Sequence, residues 1–112
     1  MFCQVEQVGD VAVVVLRVDA LDASNVKAVK AEIRPTLMAH SKVLLGLGQV
    51  SFIDSSGLGY ILSCLREVTS GGGDLKLFNV TQPVRGLLEM VRLHKIVDIL
   101  NTQEEGISSF GG

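Results

Sequence analysis

The residues best suited to chemistry in this chain are Asp54, Ser55 and Ser56, followed at once by Gly57, Leu58 and Gly59. Two hydroxyls beside a carboxylate can cap the free amides of a helix start. Alternatively, one of them can carry a phosphate that the positive end of a helix tolerates. A serine nucleophile would be a third use, but it needs a general base. Only His40 and His94 could supply one, and the pattern places both near helix ends, where a cation suits the dipole. Gly57-x-Gly59 and Gly46-x-Gly48 lack the third glycine and the distant acidic partner of a dinucleotide-binding loop. Cys3, Cys64, His40 and His94 show none of the usual metal-ligand spacings, so neither metal nor cofactor is expected.

The surrounding pattern says what positions these groups. Val50-Ser51-Phe52-Ile53 reads as a buried strand running into the polar turn. Leu58, Ile61, Leu62, Leu65 and Val68 recur at helical spacing, which predicts a helix over about 57–69 closed by Gly71-Gly72-Gly73. Upstream, residues 3–8 alternate weakly, Gly9-Asp10 reads as a hairpin turn, and 11–18 as a strand buried on both faces. Asp22 to Asn25 supply capping side chains for a helix bearing Val26, Val29, Ile33 and Leu37. Pro35 predicts a kink near Arg34 or an early end of that helix. Residues 42–47 and 74–80 read as further strands, and Gly46 within the first marks a weak point or a close approach. Pro83 opens another helix carrying Val84, Leu87 and Leu88, Ile96 to Leu100 form a short strand, and 103–110 a last helix. Met38 and Met90 read as gap fillers, Cys64 as a small core residue, and Tyr60 as an exposed aromatic suited to an interface. Lys27, Lys30 and Arg34 form a solvated face that could meet an acidic partner. Strands alternating with helices imply crossover units and a mostly parallel sheet, with the opening hairpin as an antiparallel edge.

At 112 residues the chain is one domain with room for a true core. Hydrophobic content of 47% against 20% charged excludes disorder. A net charge of −2 without a basic block, together with four Phe, one Tyr and no Trp, excludes nucleic acid as a partner. Two distant cysteines and an N-terminus without a basic-then-apolar leader point to a reduced, cytoplasmic setting. No apolar run approaches the ~20 residues of a membrane span, so direct membrane insertion is not expected.

Phe52-Ile53-Asp54-Ser55-Ser56-Gly57-Leu58-Gly59 resembles the signature of the STAS domain, in particular that of the bacterial anti-sigma factor antagonists. Leu21-Asp22, the Gly71-Gly72-Gly73-Asp74-Leu75 turn and Pro83-Val84-Arg85-Gly86-Leu87-Leu88 extend the likeness, so that 1–112 reads as a single STAS domain. The resemblance implies a small α/β fold with a mixed, mostly parallel sheet packed against helices. It also implies a non-enzymatic signalling protein that works by partner switching. Such an antagonist binds an anti-sigma factor that is also a serine kinase, thereby regulating sigma-dependent transcription. It lets go when that kinase phosphorylates it, and a serine phosphatase resets it. By position the phospho-acceptor is Ser55, and the partner surface comprises Asp22, Asp54, Ser56, Gly57, Leu58 and Tyr60. Gly46 stands where the family often has an acidic residue or Asn, and Asp19-Ala20 where Gly-Glu is usual. Other classes remain open: a STAS regulatory subunit of a membrane transport complex, a STAS module with a non-sigma output, or a small enzyme using Ser55 as nucleophile.

Overall fold

The computed structural model describes residues 1–111. The β-branched run after the Gly9 turn pairs back on the N-terminus, giving β1 (Cys3–Val8) antiparallel to β2 (Val11–Leu16). Gly9 takes a positive φ of 62°, the left-handed conformation such a tight reversal requires. Next come β3 (Ala20–Leu21), α1 (Val26–Ala39), β4 (Lys42–Gly46), β5 (Phe52–Ile53) and α2 (Ser55–Ser70). After them come β6 (Asp74–Phe78), α3 (Gln82–Met90), a 3-10 turn at Leu93–Lys95, β7 (Ile99–Leu100) and α4 (Gln103–Ser109). The main sheet has the order β1-β2-β4-β6-β7 and is parallel except at its β1 edge. This is the small α/β architecture with a mixed, mostly parallel sheet that the alternation of strands and helices predicts.

Period-two alternation divides each central strand between two cores. Val14, Leu16, Val43, Leu45, Leu75 and Leu77 meet the apolar stripes of α1, α2 and α3 in the larger one. Val11, Val13, Leu44 and Phe78 meet Ile107 and Phe110 on the opposite face, where α4 covers the sheet. Lys76 breaks the apolar pattern yet is buried. Its ammonium donates to the Ser109 carbonyl (2.8 Å), lies 3.4 Å from an Asp98 carboxylate oxygen and sits over the Phe110 ring. A buried cation needs such partners, and here they fasten α4 to the sheet. Gly46 is explained by the same face, because a Cβ there would lie 2.8 Å from the Phe78 ring.

Several expectations are corrected. The helix α1 does not stop early at Pro35 but continues to Ala39. Pro35 and Ala31 both face solvent, so the carbonyl that loses its intrahelical donor can be hydrated. Asn25 precedes α1 without making a side-chain cap bond; its amide instead donates to the Ala20 carbonyl (2.7 Å) and accepts from the Asp22 amide. The strand expected over 74–80 ends at Phe78, because Asn79 turns left-handed with φ 55°. The last strand is only Ile99–Leu100. Met38 and Met90 are exposed and fill no gap, whereas Cys64 is buried as expected. Among the described residues, no helix is long and apolar enough to cross a membrane.

Candidate functional site

Two short parallel strands build the site. β3 pairs with β5 in the register Ala20↔Phe52 and Leu21↔Ile53, so the loops that follow them emerge side by side. One loop, residues 22–25, leads into α1, and the other, a single residue, leads into α2. Asp54 is that residue. Its backbone amide donates to the Leu21 carbonyl at 3.3 Å. One carboxylate oxygen accepts from the Gly57 amide at 2.9 Å, capping α2, and the other accepts from the Ala23 amide at 3.1 Å. A single side chain thus caps one helix and fastens the neighbouring loop to it. The Gly57 amide, more than any other donor, holds the Asp54 carboxyl below the usual carboxylate range, with the Ala23 and Ser56 amides adding to it.

Gly57 makes this closeness possible. A Cβ at that position would run into the Leu21 carbonyl oxygen and stand 2.9 Å from Cγ2 of Ile53. Any side chain would therefore lift the first turn of α2 off β3. On the facing loop, Asp22 accepts from the amide and hydroxyl of Ser24, and its carbonyl accepts from the amides of Asn25 and Val26. That loop is braced from within and then tied to α2 through Asp54.

Ser55 and Ser56 are the first two residues of α2, and both are exposed. The cap belongs to Asp54, so the alternative in which Ser55 merely caps the helix does not apply. Among the described residues the Ser55 hydroxyl makes no hydrogen bond, and neither histidine pairs with it. His40 holds Nδ1 3.0 Å from the Thr36 carbonyl oxygen at the far end of α1, and Nδ1 of His94 is buried without a partner among the described residues. Without a bonded base the hydroxyl is not activated for attack. It stands instead at the positive end of a 16-residue helix, where added negative charge is favoured.

Asp22, Asp54, Ser55 and Ser56 therefore meet on one surface, with Leu58 half-buried a turn further along. Tyr60 does not join them. It is only 7% exposed, because its helical phase matches Gly57, Ile61 and Cys64 on the core side of α2. Among the described residues its hydroxyl has no hydrogen-bond partner, and burial raises its pKa. Sequence reasoning missed Phe52, which is 56% exposed immediately before the site. The signal was available, since alternation along β5 sends Phe52 outward when Ile53 goes in.

The description "STAS domain" belongs to the family whose model matches residues 3–106. An anti-sigma F factor antagonist of Paenibacillus polymyxa is 35% identical over 66 residues, 59% of this chain but only 56% of that protein. Among solved structures, a Thermotoga maritima protein superposes with a TM-score of 0.85 at 29% identity, covering 96% of this chain and 92% of that one. The anti-sigma factor antagonist SpoIIAA in its unphosphorylated form matches at 27% identity and TM-score 0.77, covering 96% and 95%. The phosphorylated form of SpoIIAA, a Bacillus cell fate determinant, matches at 27% identity and TM-score 0.74, covering 97% and 99%.

Proposed function

The chain belongs to the STAS domain family, and from that premise we propose that it is an anti-sigma factor antagonist switched by phosphorylation of Ser55. One observation carries the proposal: Asp54 takes the capping role, leaving the Ser55 hydroxyl exposed and unbonded at the start of α2. In the unmodified state, the surface of Asp22, Asp54, Ser55, Ser56 and Leu58 docks an anti-sigma factor that is also a serine kinase. The Ser55 oxygen then attacks the γ-phosphorus of ATP, the bond to the ADP oxygen breaks, and the hydroxyl proton passes to a base of the kinase. A serine phosphatase reverses the step by adding water across the phosphoester.

The electrostatics explain why one phosphate suffices. It brings about 1.5–2 negative charges and three acceptor oxygens. Water and the helix end accommodate that charge while the surface is open, so the domain need not refold. The relative SpoIIAA has been solved in both states, and this fold superposes on each, which supports accommodation without rearrangement. A docked kinase would instead strip water from a dianion standing beside the Asp54 carboxylate, and that is costly.

The test is to purify each anti-sigma serine kinase encoded in the source genome and measure its affinity for wild type, Ser55→Ala and Ser55→Asp. One kinase should bind wild type and Ser55→Ala alike and bind Ser55→Asp at least about tenfold more weakly, a difference of roughly 1.4 kcal/mol. Equal binding of all three would refute the proposal.

A further inference from the structure

A second feature lies on the same helix face as Ser55. Leu58 and Leu62 follow it at spacings of three and seven residues, within about 10 Å along the axis of α2. They form one wall of an apolar cavity of 210 Å³, whose other wall is Val91, Arg92, Leu93 and Ile96. Val91 is 47% exposed and Ile96 61% exposed, and Met90 beside them is exposed as well. Exposed apolar residues concentrated in so short a segment are uncommon on a surface that meets only water.

Arg92 separates this cavity from a chance hollow. It ends α3 in the left-handed conformation, with φ 64°, where a glycine would be free of strain. The cost of that conformation is borne by a cationic side chain at the rim of an apolar cleft. Arg92 lines the cavity, Lys95 follows it in sequence and is exposed, and residues 91–97 contain no acid. The flanking acids are engaged elsewhere, Glu89 with Arg85 at 3.6 Å and Asp98 with Lys76 at 3.4 Å.

We infer that this groove is the apolar anchor site of the docking surface proposed above, on which the inference rests. Its occupant is an amphipathic helix of the kinase. A leucine- or methionine-type side chain enters between Leu62 and Ile96, and flanking acidic residues meet Arg92 and Lys95. Charge and shape both favour that occupant, because the rim repels a basic segment and the cleft holds one large side chain. Ser55 lies on the same face of α2, one turn before Leu58, so a helix lying along α2 covers both. A phosphate on Ser55 therefore stands under the same helix that fills the groove, and one modification acts on the whole contact.

The test uses the kinase that binds wild type. Ile96→Asp and Val91→Ser alter exposed side chains and should keep the wild-type melting temperature. Ile96→Asp should weaken kinase binding by about tenfold or more. Arg92→Glu should slow association several-fold and flatten its dependence on salt, whereas Met38→Asp, at the far end of α1, should change neither. If Ile96→Asp and Val91→Ser bind within twofold of wild type while Ser55→Asp is released, the groove inference falls and the Ser55 proposal stands. If Ile96→Asp abolishes only self-association seen by sedimentation, the occupant is a second copy of this chain and the inference is overturned. If no kinase binds wild type, both fall.

Discussion

Replacing Gly57 by alanine should destabilise the protein, although alanine is the better helix former. The would-be Cβ meets the Leu21 carbonyl oxygen well inside contact distance and Cγ2 of Ile53 at 2.9 Å. Neither obstacle can rotate away cheaply, since one is backbone and the other is a buried side chain. The first turn of α2 must retreat from β3, and overpacking of this kind costs about 1–3 kcal/mol. Helix propensity returns at most about 1 kcal/mol, leaving a net loss of up to about 2 kcal/mol even when that return is complete. For a domain of this size a loss of about 2 kcal/mol lowers the melting temperature by about 8–10 °C. The same retreat pulls Asp54 away from the Ala23 amide, so kinase binding should weaken with it. Gly59 and Gly86 supply the internal control, because a Cβ at either position meets no heavy atom within 4 Å. Alanine at those two helical sites should stabilise by about 0.5–1 kcal/mol. Calorimetry or urea unfolding of the three variants decides the matter. If all three raise the melting temperature alike, close packing of α2 on β3 is not what excludes a side chain from position 57.

Three further outcomes follow from the geometry. Asp54, Asp10 and Glu32 all have carboxyl pKa values held low in the folded protein, Asp54 chiefly by the Gly57 amide, Asp10 by Lys42 and Glu32 by the Phe2 amide. Groups of this kind add stability above their unfolded pKa and lose it as the pH falls through the folded value. Stability should therefore be flat near neutrality and decline below about pH 4, and the decline should be shallower in Asp54→Asn. A pH–stability curve on which Asp54→Asn parallels wild type would contradict this. Lys76→Ala should cost about 1–3 kcal/mol by orphaning the Ser109 carbonyl and stripping cover from Phe110. Hydrogen exchange should show α4 opening first, and unchanged protection there would refute the fastening role. Burial, reinforced by Glu32, pushes the Cys3 thiol up to about 12, and burial pushes that of Cys64 up to about 11. Alkylation at pH 8 should thus be slow in the folded protein and fast in urea, and rapid labelling of native protein would count against it.

The parts legible in the sequence were those where many residues vote for one period. The apolar stripe of α2, the polar turn before it and the β-branched run of β2 each repeat a signal several times, and the elements formed where the pattern put them. β3 escaped because two residues cannot display a period, yet its pairing with β5 is what sets the two loops side by side. The apolar look of Phe52 suggested a fully buried strand, whereas the strand is an edge with one face in water. Tyr60 was misplaced because its residue type was weighed over its helical phase, which matches the buried Ile61 and Cys64. Lys76 carried no local sign of burial, since its partners Asp98, Ser109 and Phe110 lie far along the chain and arrive only when α4 folds over the sheet. Gly46 was legible as a close approach, but the approaching group, the Phe78 ring, became visible only with the β4–β6 register.

The most direct measurement is made on one sample before and after modification. The cognate kinase and ATP should place one phosphate on this chain, and peptide mass spectrometry should locate it on Ser55. The dissociation constant for the kinase, measured by calorimetry in the presence of ADP, should then rise at least about tenfold and return on phosphatase treatment. A phosphate found only on another residue, or full Ser55 phosphorylation that leaves the dissociation constant unchanged, would contradict the switch.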